Sequence, residues 1–398
     1  MATLAVLQDA STFSEHLYRA MAHVNPGVED MELYEFRYAL DNVCPMEGWA
    51  SVVPEPAAHI ERRVNTAAFY ESIQIQPRAG DRIVLDETIA HLTQMLFVGL
   101  VTGEYPASWV CAHFYFDIRG FFFLHRTTYF TEQIVARLGG APIRQFPRRQ
   151  MAFERRQDLG YKEFREANAE VDAFFMDAIR RLIEVKGTPI VLAIAGPTAA
   201  GKTEVVARLR DFLEREGRQT TAIEMDNFLT DRDYREAKGI YTLGKQAIHL
   251  QLLCRSLEDI THGKRIAIPR YDFVFATSSH DLDGNLKPGG RPLEIDPADV
   301  VFIEGNFPFL IEEVAPLIGV KVVYLTDDPI RLKRKWKRDM DYRKKYDPSY
   351  FRNRFFREQF LMAEKCYRPQ MALCDMVVDT TGAAVWATPD VARILAST

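Results

Sequence analysis

The second half of the chain contains the stretch Gly196-Pro-Thr-Ala-Ala-Gly-Lys-Thr203, which fits the phosphate-binding pattern G-x-x-x-x-G-K-[ST]. It is preceded by the apolar run Pro189–Ala195, which is typical of a buried parallel strand. It is followed by Glu204–Glu216, where apolar residues recur at helical spacing until Gly217 provides a stop signal. The predicted order is therefore strand, glycine-containing loop and helix, which is the context in which this pattern indicates phosphate binding.

The residue types in this stretch suit a nucleoside triphosphate. Glycine lets the backbone turn several N–H groups toward phosphate oxygens, and the helix N-terminus adds partial positive charge. Lys202 would reach the terminal phosphates, and the hydroxyl of Thr203 would bind Mg²⁺. We therefore expect ATP and Mg²⁺ as cofactors. The expected nucleotide-binding residues in the stretch are Gly196, Thr198, Ala199, Ala200, Gly201, Lys202 and Thr203.

Composition narrows the class of protein. The chain has 398 residues and a formal net charge of -5, so its overall charge favours neither nucleic acid nor an anionic membrane as a partner. No N-terminal stretch resembles a signal peptide, and the most apolar segments are too short to span a bilayer. The five cysteines are widely spaced and form no C-x-x-C pair, which is typical of reduced thiols and argues against a zinc site. We expect a cytoplasmic protein.

The length predicts two domains. We place the boundary at the end of a connecting helix over Phe164–Val185, giving an α+β domain of unknown role (1–186) and a second domain (187–398). In the first domain, the aromatic runs Trp109–Phe116 and Phe121–Arg126 are expected to form a β-hairpin.

The second domain alternates strands with helices. This alternation predicts an α/β fold in which helices cover a doubly wound parallel sheet, the arrangement of a P-loop NTPase. Beyond the first strand and helix, further strands are predicted at Thr221–Met225, Val300–Glu304 and Val320–Leu325, and further helices at Gln246–Thr261, Pro329–Lys345 and Ser349–Met371.

Two acidic residues follow predicted strands, where open α/β sheets place their ligand-binding groups. Asp226 comes after Thr221–Met225 and could accept the proton of an attacking hydroxyl. Glu304 ends the strand Val300–Glu304 and could hold Mg²⁺ together with Thr203. Each acid alone could be a helix cap or a turn residue. With Lys202 they supply most of the groups that phosphoryl transfer requires.

A strongly basic segment follows the predicted strand Val320–Leu325. As a helix, Arg331–Lys345 could close over ATP and bring Arg338 and Arg343 to the developing negative charge. The alternative is a solvated basic helix, or one that binds nucleic acid. Its position after the nucleotide site favours the first interpretation.

Several blocks together resemble the uridine kinase and phosphoribulokinase family of P-loop kinases, in the order of that family. The blocks lie between Pro189 and Asp379: the phosphate loop, Glu224-Met-Asp-Asn-Phe-Leu229, Ile268-Pro-Arg-Tyr-Asp-Phe273, Phe302-Ile-Glu-Gly305 and Arg331 through Arg343. The resemblance implies that Asp226 is the general base, that Thr203 and Glu304 are metal positions, and that Arg338 and Arg343 are lid arginines. It also implies that Tyr271 and Phe273 match aromatic positions that hold a pyrimidine, although both would equally suit an ordinary strand.

The chain departs from this family where nucleoside kinases bind ribose. The block Thr242–Ala247 lacks the expected ribose-binding Asp, Ala276 stands where a His is expected, and a lid arginine position is Lys335. A missing carboxylate removes two hydroxyl hydrogen bonds and weakens the case for a ribonucleoside. Lys335 and Lys245 would suit an acceptor that carries an anionic group.

These observations predict a kinase that transfers the γ-phosphoryl group of ATP to a hydroxyl of a small acceptor, with Asp226, Lys202 and Arg338 as catalytic residues. A pyrimidine nucleoside is the first candidate acceptor, followed by a sugar or sugar phosphate bound near Asp226, Tyr271, Phe273 and Lys335. Two alternatives stay open. One is an ATP-binding regulator that switches the first domain, and the other is a tRNA prenyltransferase, which the phosphate loop also resembles. Assembly into a homo-oligomer stays open as well.

Overall fold

The computed structural model of the protein describes residues 2–72, 76–77, 83–84, 87–118, 121–147, 168–240, 244–343 and 358–397. Contacts divide these residues into two units. The first comprises the described residues up to 128 together with 358–360, and the second comprises the remainder. Among the described residues, no helix combines the length and apolar character needed to cross a membrane.

The first unit is rich in helices. It contains two short antiparallel pairs, β1 (Gln76–Pro77) with β2 (Ile83–Val84) and β3 (Phe114–Asp117) with β4 (Phe122–His125). Phe97 packs against Phe121 and Phe123, with ring centroids 5.8 and 5.7 Å apart. The helices span Ala2–Gln8, Ala10–Ala22, Leu33–Leu40, Ala57–Val64, Ala67–Ser72, Glu87–Thr102 and Ala107–His113.

The aromatic hairpin is confirmed, but the strand predicted to begin at Trp109 is wrong. Ala107–His113 is a helix, and the strand begins only at Phe114. Trp109 and His113 are one helical turn apart, which brings their ring centroids within 5.3 Å. Pro106 precedes the helix at its N-cap position. The strand was predicted because aromatic residues are common in strands, although Trp109 and His113 are also spaced as on one face of a helix.

The strands of the second unit are β5 (Arg144–Gln145), β6 (Ile190–Ala195), β7 (Thr220–Glu224), β8 (Ile266–Ile268), β9 (Tyr271–Asp272), β10 (Thr277–Ser278), β11 (Leu293–Ile295), β12 (Val300–Gly305), β13 (Val320–Leu325), β14 (Met376–Asp379) and β15 (Ala384–Ala387). Seven of them form one sheet in the order β5-β15-β14-β13-β6-β12-β7. Strands β14, β13, β6, β12 and β7 run parallel, whereas at one edge β15 pairs antiparallel with β14 and β5 pairs antiparallel with β15. Two further antiparallel pairs, β8 with β11 and β9 with β10, lie outside this sheet.

Helices connect these strands and cover the sheet. The predicted basic helix begins at Asp328, and a π-helical turn, Arg338–Tyr342, follows it. The predicted helix at Gln246 begins later, at Leu250, and residues 344–357 of the last two predicted helices lie outside the described residues. The α-helices of the second unit span Glu132–Arg137, Ala169–Lys186, Lys202–Arg215, Arg232–Ala237, Leu250–Thr261, Asp328–Lys337, Arg368–Met371 and Pro389–Ala396, and the helix Glu358–Met362 begins in the first unit and ends in the second.

Both faces of the parallel sheet are buried. Alternate residues of β6 belong to two different hydrophobic clusters: Val191 and Ala193 face one, and Leu192 and Ile194 face the other. This two-sided burial explains why the parallel strands are continuous apolar runs rather than alternating ones. The doubly wound parallel sheet predicted from the sequence is confirmed. β6 is central, with later strands on both sides, so a crevice forms at its carboxyl end.

The unit boundary differs from the predicted one at 186/187. The helix Ala169–Lys186 was expected to connect two domains, but Phe175 and Ile179 on its apolar face pack in the same cluster as Leu192 of β6. The hydroxyl of Tyr324 on β13 also donates a hydrogen bond to Asp172 of this helix, at 3.0 Å. The helix therefore forms part of the cover of the sheet, and the contacts place the division between residues 128 and 129.

Candidate active site

The loop between β6 and the helix Lys202–Arg215 depends on glycine at both ends. Gly196 has φ 153°, and a Cβ placed there would lie 2.2 Å from the carbonyl oxygen of Tyr324 on β13. Gly201 caps the helix with φ 101°. L-residues rarely adopt these backbone angles, and the clash at Gly196 excludes any side chain. Ala199 also has positive φ, at 65°, and the buried Ala200 accepts a hydrogen bond from the Thr326 hydroxyl at 2.9 Å.

Lys202 lies buried beneath this loop. Its ammonium group donates to the carbonyl oxygen of Pro197 at 3.0 Å and to Oδ1 of Asn306 at 3.4 Å. Burial lowers the pKa of Lys202, while the negative charges of Glu304 and Asp226 act in the opposite direction. A buried ammonium with nearby carboxylates and an adjacent loop matches the lysine position of a phosphate-binding site.

Thr203 and Glu304 form the candidate metal position. The Thr203 hydroxyl donates to Oε1 of Glu304 at 2.6 Å, which joins the start of the helix to the carboxyl end of β12. Burial raises the pKa of Glu304 to about 7, against the opposing effects of the Lys202 charge and the Thr203 hydrogen bond. Hydroxyl and carboxylate oxygens fit Mg²⁺, which takes few protein ligands when phosphate oxygens complete its shell. Within the described ranges, no cluster of three or more His, Cys, Asp or Glu side chains offers another metal site.

Asp226 lies beside this position. β7 and β12 are parallel neighbours with Glu224 opposite Glu304, and Asp226 follows two residues later in the 3₁₀-helix Met225–Phe228. The side chain of Asp226 is half-buried. Burial raises the pKa of Glu224, and the charge of Asp226 adds to this effect. The structure therefore brings together Lys202, Thr203, Glu304 and Asp226 at the ends of three adjacent strands, β6, β12 and β7.

The basic segment is organised by an acid that sequence reasoning missed. Asp339 is completely buried, and its carboxylate lies 2.6 Å from Nζ of Lys335. Arg343 and Arg338 contact the same carboxylate at 3.4 and 3.6 Å. Lys335 was predicted to contact substrate, and here its ammonium has Asp339 as a partner. The spacing could have predicted these pairs, since Asp339 follows Lys335 by four residues and precedes Arg343 by four, and residues four apart lie on the same face of a helix.

A second set of contacts ties the phosphate loop to helices near the C-terminus. The Thr198 N–H donates to the hydroxyl of Tyr367 at 3.3 Å, and the guanidinium of Arg331 lies 5.9 Å from the centre of the Tyr367 ring. Arg331 is buried and pairs with Asp328 at 2.8 Å. The Asn306 carbonyl likewise accepts from Gln370 at 2.6 Å. No local motif indicates the contacts made by Tyr367 and Gln370, because their partners are far away in the sequence.

The predicted substrate aromatics lie on the hairpin next to Asp226. The Tyr271 N–H donates to the side-chain oxygen of Asn227 at 3.3 Å, which holds β9 beside the segment that carries Asp226. The Tyr271 hydroxyl accepts from Arg235 at 3.0 Å, and Phe273 packs edge-on against Tyr271. The guanidinium of Arg343 lies 4.5 Å from the centre of the Phe273 ring. The aromatic pair Tyr271 and Phe273 is therefore in contact with Arg343, one of the two predicted lid arginines.

The block that departs from nucleoside kinases is partly described, because residues 241–243 lie outside the described ranges. Lys245 lies in a 3₁₀-turn and pairs with Glu313 at 2.9 Å. Just beyond it, the buried His249 forms a hydrogen bond through Nε2 to the Ser278 hydroxyl at 3.2 Å. Burial lowers the pKa of His249, with a further contribution from His280. The backbone N–H of His249 donates to Phe228 O, two residues after Asp226.

A sequence profile of the Phosphoribulokinase / Uridine kinase family matches the chain over residues 191–385. That is the part of the chain that carries the phosphate loop, Asp226, Glu304 and the basic segment. The C-terminal part of the chain, residues 191–385, therefore resembles the kinases of this family. The resemblance predicted from the motifs is confirmed for the C-terminal part of the chain.

Curated relatives in this family include uridine kinases. Uridine-cytidine kinase 2-B of Danio rerio is 31% identical over 165 residues, which cover 39% of this chain and 59% of that protein. Uridine kinase of Lactobacillus helveticus is 27% identical over 155 residues, which cover 38% of this chain and 68% of that protein. The chain thus spans less than two thirds of the length of the Danio relative, and the matched residues lie in the C-terminal part of the chain.

Solved structures of kinases share a lower similarity. Phosphoribulokinase from Rhodobacter spheroides is 20% identical with a TM-score of 0.36, covering 49% of this chain and 70% of that chain. D-glycerate 3-kinase from Cryptococcus neoformans is 14% identical with a TM-score of 0.39, covering 55% and 99%. The fold assignment rests on the strand order and on the loop after β6, both described above.

Proposed function

We propose that this protein is a kinase that uses ATP and Mg²⁺ to phosphorylate a hydroxyl group of a small molecule. The observation that carries the proposal is the hydrogen bond of 2.6 Å between Thr203 and Glu304, with Lys202 and Asp226 grouped around it. A phosphate loop, an oxygen-ligand pair and a candidate base on adjacent strand ends are the groups that phosphoryl transfer needs. The match of residues 191–385 to a family of kinases supports it.

In the proposed reaction, the acceptor oxygen forms a bond to the γ-phosphorus while the bond from that phosphorus to the leaving oxygen of ADP breaks. Asp226 accepts the proton of the acceptor hydroxyl. The N–H groups of the loop and Lys202 hold the phosphates, and Arg338 and Arg343 place positive charge near the transferred group. Mg²⁺ held by Thr203 and Glu304 would neutralise charge on the phosphate oxygens.

For the acceptor, we propose a pyrimidine nucleoside first, with a sugar or sugar phosphate as the second candidate. The names of the curated relatives and the aromatic pair Tyr271 and Phe273 support the nucleoside. The block Thr242–Ala247, which lacks the expected ribose-binding Asp, supports an acceptor that differs from ribose. Lys335 and Lys245 lend less support to an anionic acceptor than their sequence positions suggested, because each already pairs with a carboxylate.

The test is ADP release measured with purified full-length protein, ATP and Mg²⁺ across nucleosides, sugars and sugar phosphates. We expect one acceptor class to stimulate ADP release, and we expect Asp226→Asn to reduce that stimulated rate by about 10²- to 10⁴-fold while ATP binding persists. Asp211→Asn is the matched control, since Asp211 is an exposed acid on the helix after the phosphate loop. Tight ATP binding without any acceptor-stimulated turnover would overturn the kinase proposal.

That negative outcome would favour the alternative, an ATP-binding regulator. Such a protein needs the phosphate loop but has no use for a base, so its ATP-dependent behaviour should be the same with Asp226→Asn as with the unaltered chain. The cytoplasmic location and the absence of nucleic-acid partners remain predictions. They are separable from the activity and would be tested by localisation and by a nucleic-acid binding assay.

A further inference from the structure

The outer edge of the sheet forms one wall of an open groove of about 620 Å³, which the proposed reaction does not use. One wall is β7 with Gln219 before it, and the other is β11 with the residues up to Ala298. Asn227 and Ile268 also line the groove. The volume lies within the range of ligand-binding pockets, which is about 300–1,000 Å³.

The backbone of β7 faces this groove with unpaired groups. β7 is the last strand of the seven-stranded sheet, and it pairs with β12 alone among the described strands. The Gln219 carbonyl accepts a hydrogen bond from the Val300 N–H of β12 at 3.1 Å. Successive residues of a strand direct their backbone N–H and C=O groups to opposite sides, so Thr221 and Ile223 also direct theirs toward β12. Thr220, Ala222 and Glu224 therefore direct their N–H groups toward the groove. Such an edge is a template for an added strand.

Strand β11 bounds the groove on the opposite side. It pairs with β8 in a separate two-stranded sheet, with Glu294 opposite Ala267. An extended segment in the groove would pair through its backbone with β7. Five residues of β7 span about 17 Å at the usual rise of a strand, which sets the length of segment that can pair.

The charges of the walls favour a basic segment. Glu224, Glu294 and Asp296 line the groove, against the single cation Arg210 in its lining. Glu294 and Asp296 share Arg265, at 3.5 and 3.3 Å. Glu224 has no cationic partner among the described residues, and burial together with the charge of Asp226 raises its pKa. A Lys or Arg beside Glu224 would supply the missing positive charge.

We propose that this groove, bounded by β7 and β11, binds an extended peptide segment of a partner protein that carries a Lys or Arg. The segment adds to the edge of β7 as a strand, so backbone hydrogen bonds supply affinity and Glu224 supplies the preference for a basic side chain. The proposal does not depend on the proposed kinase activity.

The test uses the full-length protein and a library of acetylated heptapeptides with β-branched residues at alternate positions and the other positions randomised. Selected peptides should carry Lys or Arg, and fluorescence anisotropy gives their Kd. N-methylation of the peptide should weaken binding about tenfold or more at every second position and little at the positions between, since only alternate N–H groups face β7. Glu224→Gln should remove the preference for a basic residue.

A pair of substitutions in β7 separates strand addition from surface attraction. Ala222→Pro removes an N–H that faces the groove and spares the bonds to β12, and it should weaken peptide binding at least tenfold. Ala222→Ser keeps that N–H and should bind as the unaltered chain does. Unchanged ATP binding by both variants shows that they are folded. The proposal is overturned if no peptide is enriched, or if N-methylation shows no two-residue period. It is also overturned if sedimentation shows that a second copy occupies this edge, in a dimer that Ala222→Pro dissociates.

Discussion

The buried carboxyl of Glu304 should make the stability of the sheet depend on pH. Its pKa is raised from 4.5 to about 7 by burial, so in the folded protein it binds a proton that the unfolded chain has already lost above pH 4.5. The free energy of unfolding should therefore fall as pH rises from about 4.5 to about 7. At about 1.36 kcal/mol per pKa unit, the contribution of this single group is about 3 kcal/mol.

Glu304→Gln removes the titrating group but keeps an oxygen that can accept from Thr203. The stability of the variant relative to the unaltered chain should therefore rise by about 3 kcal/mol between pH 4.5 and pH 8. The two units need not unfold together, so we would measure hydrogen exchange of the β12 amides across a urea series, without Mg²⁺.

The matched control for this experiment is Glu312→Gln. The Glu312 side chain is 91% exposed, and the curve of this variant should run parallel to that of the unaltered chain. A difference between Glu304→Gln and the unaltered chain that stays constant from pH 4.5 to 8 would refute the reasoning. Added Mg²⁺ should reduce the difference at high pH if it binds the ionised carboxylate.

Three further substitutions test contacts around the site. Gly196→Ala places a Cβ against a backbone carbonyl at 2.2 Å and should destabilise the second unit by about 1–3 kcal/mol, measured as a lower Tm, with ATP affinity reduced as well. Asp339→Asn removes the carboxylate that pairs with the buried ammonium of Lys335 and should cost about 3–5 kcal/mol in urea unfolding, whereas adding Lys335→Met should restore part of the loss. If the double variant is no more stable than the single one, the pairing is unimportant. Tyr367→Phe removes the acceptor of the Thr198 N–H and should weaken ATP binding severalfold in calorimetry, through about 1 kcal/mol; an unchanged Kd would contradict this role.

The core of the second unit was predictable because its determinants are local. The apolar runs at β6, β12 and β13 are buried on both faces, so burial and sequence pattern coincide. The phosphate loop was predictable because backbone geometry at Gly196 and Gly201 admits no side chain, or only a strained one. At positions where the backbone conformation requires glycine, the requirement can be read directly from the sequence.

Features that depend on distant contacts were not predictable. The pairing of Arg331 with Tyr367, and the packing of the helix Ala169–Lys186 on the sheet, join segments that no local pattern connects. The helix at Ala107–His113 was mistaken for a strand because its aromatic residues suit both structures. The partners of Lys335 and Lys245 decide whether these side chains can reach a substrate, and only the tertiary structure identifies those partners.

The contact between Thr198 and Tyr367 also bears on how the protein is made. A nascent chain that has emerged as far as β12 already contains Lys202, Thr203 and Glu304, but it lacks the hydroxyl that holds the phosphate loop from 169 residues further along. Domains fold as units during synthesis, and here the unit is completed only when its last segments leave the ribosome. A prematurely terminated product that ends after β13 would carry every residue of the phosphate-binding motif without the contact that positions it.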